Sequence, residues 1–438
     1  MTPSPLQLRR DRIASTWDLT DELVLIGAGE PVSLPGGADQ TYPFVAHSEY
    51  FYLTDHDQPG GVLAFDPLTG WTDFVPAVTE AERVWEGKSD AVGTPLTELA
   101  GWLGARRGRR VNMLGCALPG VPSDAGRTPE LREQLMHARR PKDSLELERM
   151  RAAADATAAG YAAAVRAMRP GVTERALQIE MESGFFRGGG DGTGYGSIVG
   201  AGTHSAVLHF APSERAFAAG DVVLIDAGAM VKRYVSDVTR SYRVGGTGVR
   251  GGGSAPDPQL FGDLYQLVLG VEERACARCM AGTEWRNLHV AASLEIADGL
   301  ARLGFLRGNA ESLLEQDAQA LFFPHGLGHL VGLGVRDASG YLPGRQRSTR
   351  PGLNMLRTDL PLEPDYVITV EPGIYFIPAL LQDPERRAQF KDAVNWARVD
   401  AAMGFGGIRI EDNMRITDGA PENLTRAIPK DLASVMVG

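Results

Sequence analysis

Four acidic residues stand where acids are seldom found. Asp226 lies among Val, Leu, Ile and Ala in DVVLIDAGA, and Asp237 follows in VSDVTRSYRV. Glu371 interrupts YVITVEPGIYF, and Glu411 interrupts GIRIEDNMRI. Aspartate is depleted in strands, and a buried carboxylate is costly unless something compensates its charge. Salt bridges to Arg240, Arg409 and Arg415 would do so one acid at a time. A histidine pair, His325 and His329 in FFPHGLGHLVGLGVRDASG, offers another route. Two divalent cations carry four positive charges, which four carboxylates neutralise. Mainly oxygen ligands with one imidazole suit Mn(II) or Co(II), and Zn(II) is also compatible. Such a pair of ions would bring hydrolytic chemistry within reach at neutral pH.

The spacing of the histidines is ambiguous by itself. On a helix it would put both rings on one face, as in the zinc-protease pattern H-E-x-x-H. No glutamate follows His325, however, and Gly326, Gly328, Gly332 and Gly334 would each weaken a helix by about 1 kcal/mol. A strand or loop is expected instead, with glycines that let the backbone approach a neighbour closely.

The elements that must carry these groups can be read around them. DVVLIDAGAMVKRYVSDVTRSYRV reads as two strands, about 221–228 and 234–244, joined by a short turn. After the basic link HARRPKDS comes a long alanine-rich helix that stops at Pro170-Gly171. Further helices are expected near 173–187, 258–281 and 285–303. Helices beside a largely antiparallel sheet make an α+β domain over residues 139–438. Residues 1–138 mix strand-like runs such as EYFYLT and GGVLAFDP with a helix at PLTELAGWLGA, which suggests a smaller α/β domain.

Composition narrows the function classes. The 438 residues are 43% hydrophobic and 23% charged, with a net charge of −11, so no nucleic-acid partner is expected. No apolar run is long enough to cross a bilayer, and MTPSPLQLRRDRIAS lacks the apolar core of a signal peptide. A cytoplasmic protein with no membrane partner is the expectation. Cys276 and Cys279 form a C-x-x-C without the second pair that a structural zinc site needs, and read as half-buried thiols on one helix. Residues 246–251 form a G-x-G-x-x-G, but no helix opens at the glycines, so a surface loop is expected rather than a dinucleotide site.

The segments VLIDAGA, SDVTRSY, HGLGHLVGLGV, TVEPGIYF and GIRIED, in this order, resemble the metal motifs of the pita-bread metallopeptidases. The resemblance is to their proline-specific branch of prolidases and aminopeptidases P, and runs from about residue 140 to the C-terminus. SEYFYLTDHDQPGGVLAFDP is more weakly similar to the N-terminal domain of the same enzymes. The resemblance implies a pita-bread catalytic domain holding two divalent metal ions, Mn(II) first, on Asp226, Asp237, His329, Glu371 and Glu411. Asp237 and Glu411 would bridge the ions, and a hydroxide between them would attack the Xaa-Pro bond. It further implies Glu371 as proton shuttle, His209 as a stabiliser of the tetrahedral intermediate, and Tyr195 and Ile198 near the substrate. His325 would pack beside the cluster as a further catalytic residue, and Arg409, within the same motifs, would help to bind substrate. The enzymes it resembles are commonly dimers or tetramers.

One departure stands out. Arg336 occupies the place of a second catalytic histidine; it cannot shuttle protons at neutral pH but can donate hydrogen bonds to an oxyanion. The stretch GYLPGRQRSTRPGLNMLRTDLPLEPDY resembles the prolidase version, in which the arginine of LRT, here Arg357, grips the free carboxylate of a dipeptide's proline. A dipeptide substrate is therefore expected, with longer Xaa-Pro peptides, the substrates of aminopeptidase P, as the alternative.

Overall fold

A computed structural model of the chain describes residues 3–437, apart from 38, 122, 124, 125 and 246–256. The glycine motif at 246–251 lies outside the described residues. The chain divides into two compact units, Met1–Arg139 and Arg140–Gly438.

The first unit is built on a five-stranded sheet. Its order is Thr94–Pro95, Gly70–Val75, Val62–Asp66, Leu23–Gly27, Val111–Gly115, antiparallel in the middle and parallel at both edges. EYFYLT is not a strand but most of a helix, Ser48–Thr54, whose N-terminus is capped by the His47 side chain. Tyr50, Phe51, Tyr52 and Leu53 are all buried, so burial on every side overrides the β-propensity of the run.

The second unit opens with α1 (Ser144–Ala167), started by a capping box between Asp143 and Glu146. Then come α2 (Glu174–Arg187), β1 (Ile198–Ala201), β2 (Val222–Ala227) and β3 (Val238–Val244). Helices α3 (Pro258–Ala277) and α4 (Trp285–Arg302) contribute to the main apolar core. Strands β4 (Val367–Val370), β5 (Gly373–Tyr375), β6 (Gly407–Arg409) and β7 (Asp412–Arg415) complete the scaffold. Its strands pair antiparallel, except for the C-terminal Met436–Val437, which joins β3 in parallel.

Three details depart from the sequence reading. The second strand, expected to run from 234 to 244, breaks at Ser236 and Asp237, and Glu371 and Glu411 lie just outside strand ends rather than within strands. Asp226 remains within β2, whereas the break at Ser236 and Asp237 releases Asp237 from the regular alternation of a strand. The two cysteines are fully buried rather than half-buried, and Cys279 lies beyond the end of α3. Cys276 donates its thiol hydrogen to Glu272 at 3.0 Å.

Candidate metal centre

Strand register brings the acids together. Asp226 on β2 pairs with Ile198 on one side and Thr239 on the other, and Thr239 forms an isolated bridge with Glu411. Ile198, Asp226, Thr239 and Glu411 thus form one row across the structure. The Thr239 hydroxyl donates to the Glu411 carboxylate at 2.6 Å, and the Glu411 amide donates to the Thr239 carbonyl at 3.0 Å. Asp237 sits in the strand break, where the Asn413 side chain takes over both ladder roles. Its oxygen accepts from the Asp237 amide at 2.9 Å, and its NH2 donates to the Asp237 carbonyl at 2.5 Å. Gly228 permits this crowding, because a Cβ there would fall 1.6 Å from the Ser236 carbonyl oxygen.

The histidine segment answers to neither helix nor regular strand. It runs against β4: the Thr369 amide donates to the His329 carbonyl at 2.9 Å, and the Glu371 amide donates to the Leu327 carbonyl at 2.8 Å. Gly328 is what lets it lie so close, since a Cβ there would stand 1.9 Å from the Thr369 carbonyl oxygen. His329 Nδ1 bonds to the Leu330 carbonyl at 3.2 Å, so this nitrogen carries the proton and Nε2 keeps its lone pair. Nε2 faces Asp237 at 3.5 Å and Glu371 at 3.9 Å.

Asp237, His329 and Glu411 present donor atoms that all lie within 4.8 Å of one another, and all three residues are buried. Burial is the main cause pushing the carboxyls of Asp237, Glu371 and Glu411 well above their ordinary range, and repulsion among neighbouring acids adds to it. His329 and His325 are pushed down to about 3, chiefly by burial, and stay neutral. Buried acids that repel one another, beside a neutral imidazole with a free lone pair, make a donor set that fits divalent cations.

Of the three arginines that could have neutralised the acids singly, one does so. Arg409 pairs with Asp226 at 2.5 Å. Arg240 pairs with Asp412 and reaches Glu411 only through its backbone carbonyl, and Arg415 pairs with Asp365 and Glu422. The Tyr195 hydroxyl lies 2.6 Å from Asp226 and 2.5 Å from Asp237.

A cavity of about 740 Å³ opens over the cluster. All of the residues expected at the site line it: Asp226, Asp237, His329, Glu371, Glu411, His209, His325, Arg336, Arg357, Arg409, Tyr195 and Ile198. The position of His209 comes from the loop between β1 and β2, which the buried Glu174 carboxylate ties at Ala201, His204 and Ser213. The His204 ring stacks on Phe210 beside His209.

Tyr375 was missed. Its hydroxyl accepts from Arg409 at 2.8 Å and lies 2.9 Å from His325 Nε2. His325 Nδ1 bonds to the Gly326 carbonyl at 2.9 Å, so Nε2 is the acceptor of the tyrosine's proton. Within EPGIYF a tyrosine reads as ordinary core packing; only the buried arginine across β5 and β6 reveals its polar role. Asn413 was missed for a similar reason, since its partner is a strand break that periodicity did not show.

The family description Metallopeptidase family M24 matches residues 148–418, and that of Aminopeptidase P, N-terminal domain, matches residues 6–94. The Xaa-Pro dipeptidase of Xanthomonas euvesicatoria pv. vesicatoria is 31% identical, over 97% of this chain and 98% of its own. That of Stenotrophomonas maltophilia is 36% identical over 65% of this chain and 62% of its own. Among solved structures, proline aminopeptidase P II from Yersinia pestis superposes with a TM-score of 0.78 at 25% identity, covering 99% of this chain and 98% of its own. Aminopeptidase P from E. coli with the inhibitor Pro-Leu gives 0.77 at 25% identity, with the same coverage.

Proposed function

The chain belongs to metallopeptidase family M24, in its proline-specific branch, and from that premise we propose that it is an Xaa-Pro dipeptidase whose chemistry resides in residues 139–438. The observation that carries the reading is Arg357, a cation exposed on the wall of the same cavity as the acid cluster. A free proline carboxylate is the group it would hold, since guanidinium and carboxylate match in charge and in planar, two-pronged geometry.

Asp226, Asp237, His329, Glu371 and Glu411 would hold two divalent cations, Mn(II) best suited to this oxygen-rich set. When bound, the cations supply Lewis-acid polarisation of the scissile carbonyl and lower the pKa of the attacking water. Glu371 takes the proton of that water on its carboxylate and passes it to the departing proline nitrogen. His209 and Arg336 donate hydrogen bonds to the developing oxyanion, and Tyr195 orients Asp226 and Asp237 through its hydroxyl.

A second reading, an Xaa-Pro aminopeptidase for longer peptides, is favoured by the likeness to aminopeptidase P structures over nearly the whole chain. Purified protein loaded with Mn(II) and given Ala-Pro and Ala-Pro-Ala separates the two. Faster cleavage of Ala-Pro is expected, with two metal ions per chain by elemental analysis. Cleavage of Ala-Pro-Ala alone would establish the second reading, and cleavage of neither would overturn both.

A further inference from the structure

Among the described residues, the Arg357 side chain makes no hydrogen bond or ion pair, although it stands exposed on the cavity wall. Its place therefore depends on its backbone. In LRTD the flanking residues Leu356, Thr358 and Asp359 are all buried, so Arg357 is the one that projects. Its amide lies 3.7 Å from where a Cβ on Gly326 would fall, which sets this segment beside the residue that follows His325.

That backbone is pinned at the base of a loop. Tyr341 and Asp359 form a parallel bridge, in which the Asp359 amide donates to the Gly340 carbonyl at 2.9 Å and the Leu342 amide donates to the Asp359 carbonyl at 3.1 Å. The Tyr341 hydroxyl donates to the Leu356 carbonyl at 2.7 Å, one residue before the arginine. The Asp359 carboxylate then ties the base to the rest of the unit. It is fully buried, and it accepts from Arg286 on α4 and from Arg345 of the loop, the latter at 3.0 Å. Arg345 reaches on to Glu284, at the N-cap of α4, at 2.7 Å. Two guanidinium groups and two carboxylates thus balance in charge, and charge-assisted bonds of this kind are strong. None of the four residues lines the cavity. Further along, the loop is held independently by His289 on the Gly352 carbonyl at 2.7 Å and by Arg350 on Asp317 at 2.9 Å.

We propose that Asp359, clamped by Arg286 and Arg345, is a positioning residue that sets dipeptide specificity, because it fixes the base of the loop from which Arg357 meets the proline carboxylate. The inference rests on the dipeptidase reading and adds to it the residues that hold its carboxylate site in place. With no partner of its own, the guanidinium follows any shift of that base. Misplacing a binding group by about 1 Å costs on the order of tenfold in rate or more. Losing the group altogether sets the limit, at roughly 30-fold.

The test measures kcat/KM for Ala-Pro and Ala-Pro-Ala, and inhibition constants for proline and prolinamide, on Mn(II)-loaded wild type, Asp359→Asn, Arg357→Ala and the double variant. Asparagine keeps the shape and removes the charge, while the loop keeps its ties at Gly352 and Asp317. Asp359→Asn is expected to lower kcat/KM for Ala-Pro and to weaken proline about tenfold, and to leave Ala-Pro-Ala and prolinamide nearly unchanged. In the Arg357→Ala background it should cost nothing further on Ala-Pro, since the group it positions is gone. Arg345→Gln leaves Asp359 its Arg286 partner, so it should shift the same comparisons in the same direction by less, and it carries the test should Asp359→Asn not fold. Equal losses on the free carboxylates and the amides would show that the cluster only stabilises the fold, and would overturn the inference. So would unchanged constants, or a full further loss in the Arg357→Ala background. A wild type that cleaves Ala-Pro-Ala and no Ala-Pro would instead overturn the dipeptidase reading itself.

Discussion

Arg409 Nη2 lies 2.5 Å from Asp226 Oδ2, and the same guanidinium donates to the Thr239 and Tyr375 hydroxyls. Among the described residues, Asp226 is thus the one acid of the cluster with a cation of its own, and Arg409 is the only cation buried among these acids. Removing one member of a buried pair costs about 3–5 kcal/mol, because the other is left uncompensated. Arg409→Met should therefore lower the melting temperature of chelator-treated protein by several degrees, and Mn(II) should restore part of the loss by binding only the folded state. Melting curves with and without chelator check this; an unchanged metal-free curve would show that the pair adds no stability.

Glu411→Gln and Asp237→Asn keep the shape of the site while removing a negative charge from its centre. Bound metal per chain should fall, and activity with it; retention of two ions with full activity in either variant would sink the assignment. The metal-free protein gives an independent readout. Glu411 is raised above its ordinary value of about 4.3, so the folded state keeps a proton that the unfolded chain has released. Its stabilising share is complete below pH about 4 and is lost as pH rises toward the folded value. Denaturant melts of the metal-free wild type should show stability declining from about pH 5 to pH 8, with a shallower slope in Glu411→Gln.

His209 is lowered from its ordinary value by partial burial first and by the Arg336 charge second. Taking that charge away relieves one cause of the depression. In Arg336→Gln the His209 ring should therefore titrate at higher pH than in the wild type, as followed by the ring proton signals of the metal-free protein. An unmoved titration would mean that the guanidinium points away from His209.

Arg357→Ala tests dipeptide recognition. Truncating a charged partner of a partly desolvated carboxylate costs about 2–5 kcal/mol, so kcat/KM for Xaa-Pro should fall roughly 30-fold or more. In Xaa-Pro-Zaa the proline carboxylate is an amide, and the variant should hold its activity there. Equal losses on dipeptides and tripeptides would assign Arg357 a structural role and favour the aminopeptidase reading.

The acids and the histidine were legible because each violates its surroundings: Asp226 among Val, Leu and Ile, and His329 among glycines that no helix would tolerate. The residues that complete the site were not, because they obey theirs. Tyr375 suits a buried strand, Asn413 lies on β7 next to the more conspicuous acids, and the roles of both depend on partners that lie far away in sequence. EYFYLT misled for the opposite reason. Its aromatic run satisfies strand propensity, but burial on all sides of Tyr50 to Leu53 favours a helix, and no local pattern records that environment.

The Thr239–Glu411 bridge joins residues 172 positions apart, and the Asp237–Asn413 clamp joins residues 176 apart. Contacts of such separation close late, since most of the loop-closure entropy must be met before either bond can form. During refolding, helices such as α1 and the hairpin of β2 and β3 can form from local sequence alone, while the donor set stays scattered. A chain still assembling therefore has no pre-formed trap for a cation, and metal capture becomes the closing event of folding. Far-ultraviolet signal should return before metal affinity does, and the lag between them measures how long the two halves of the second unit take to find each other.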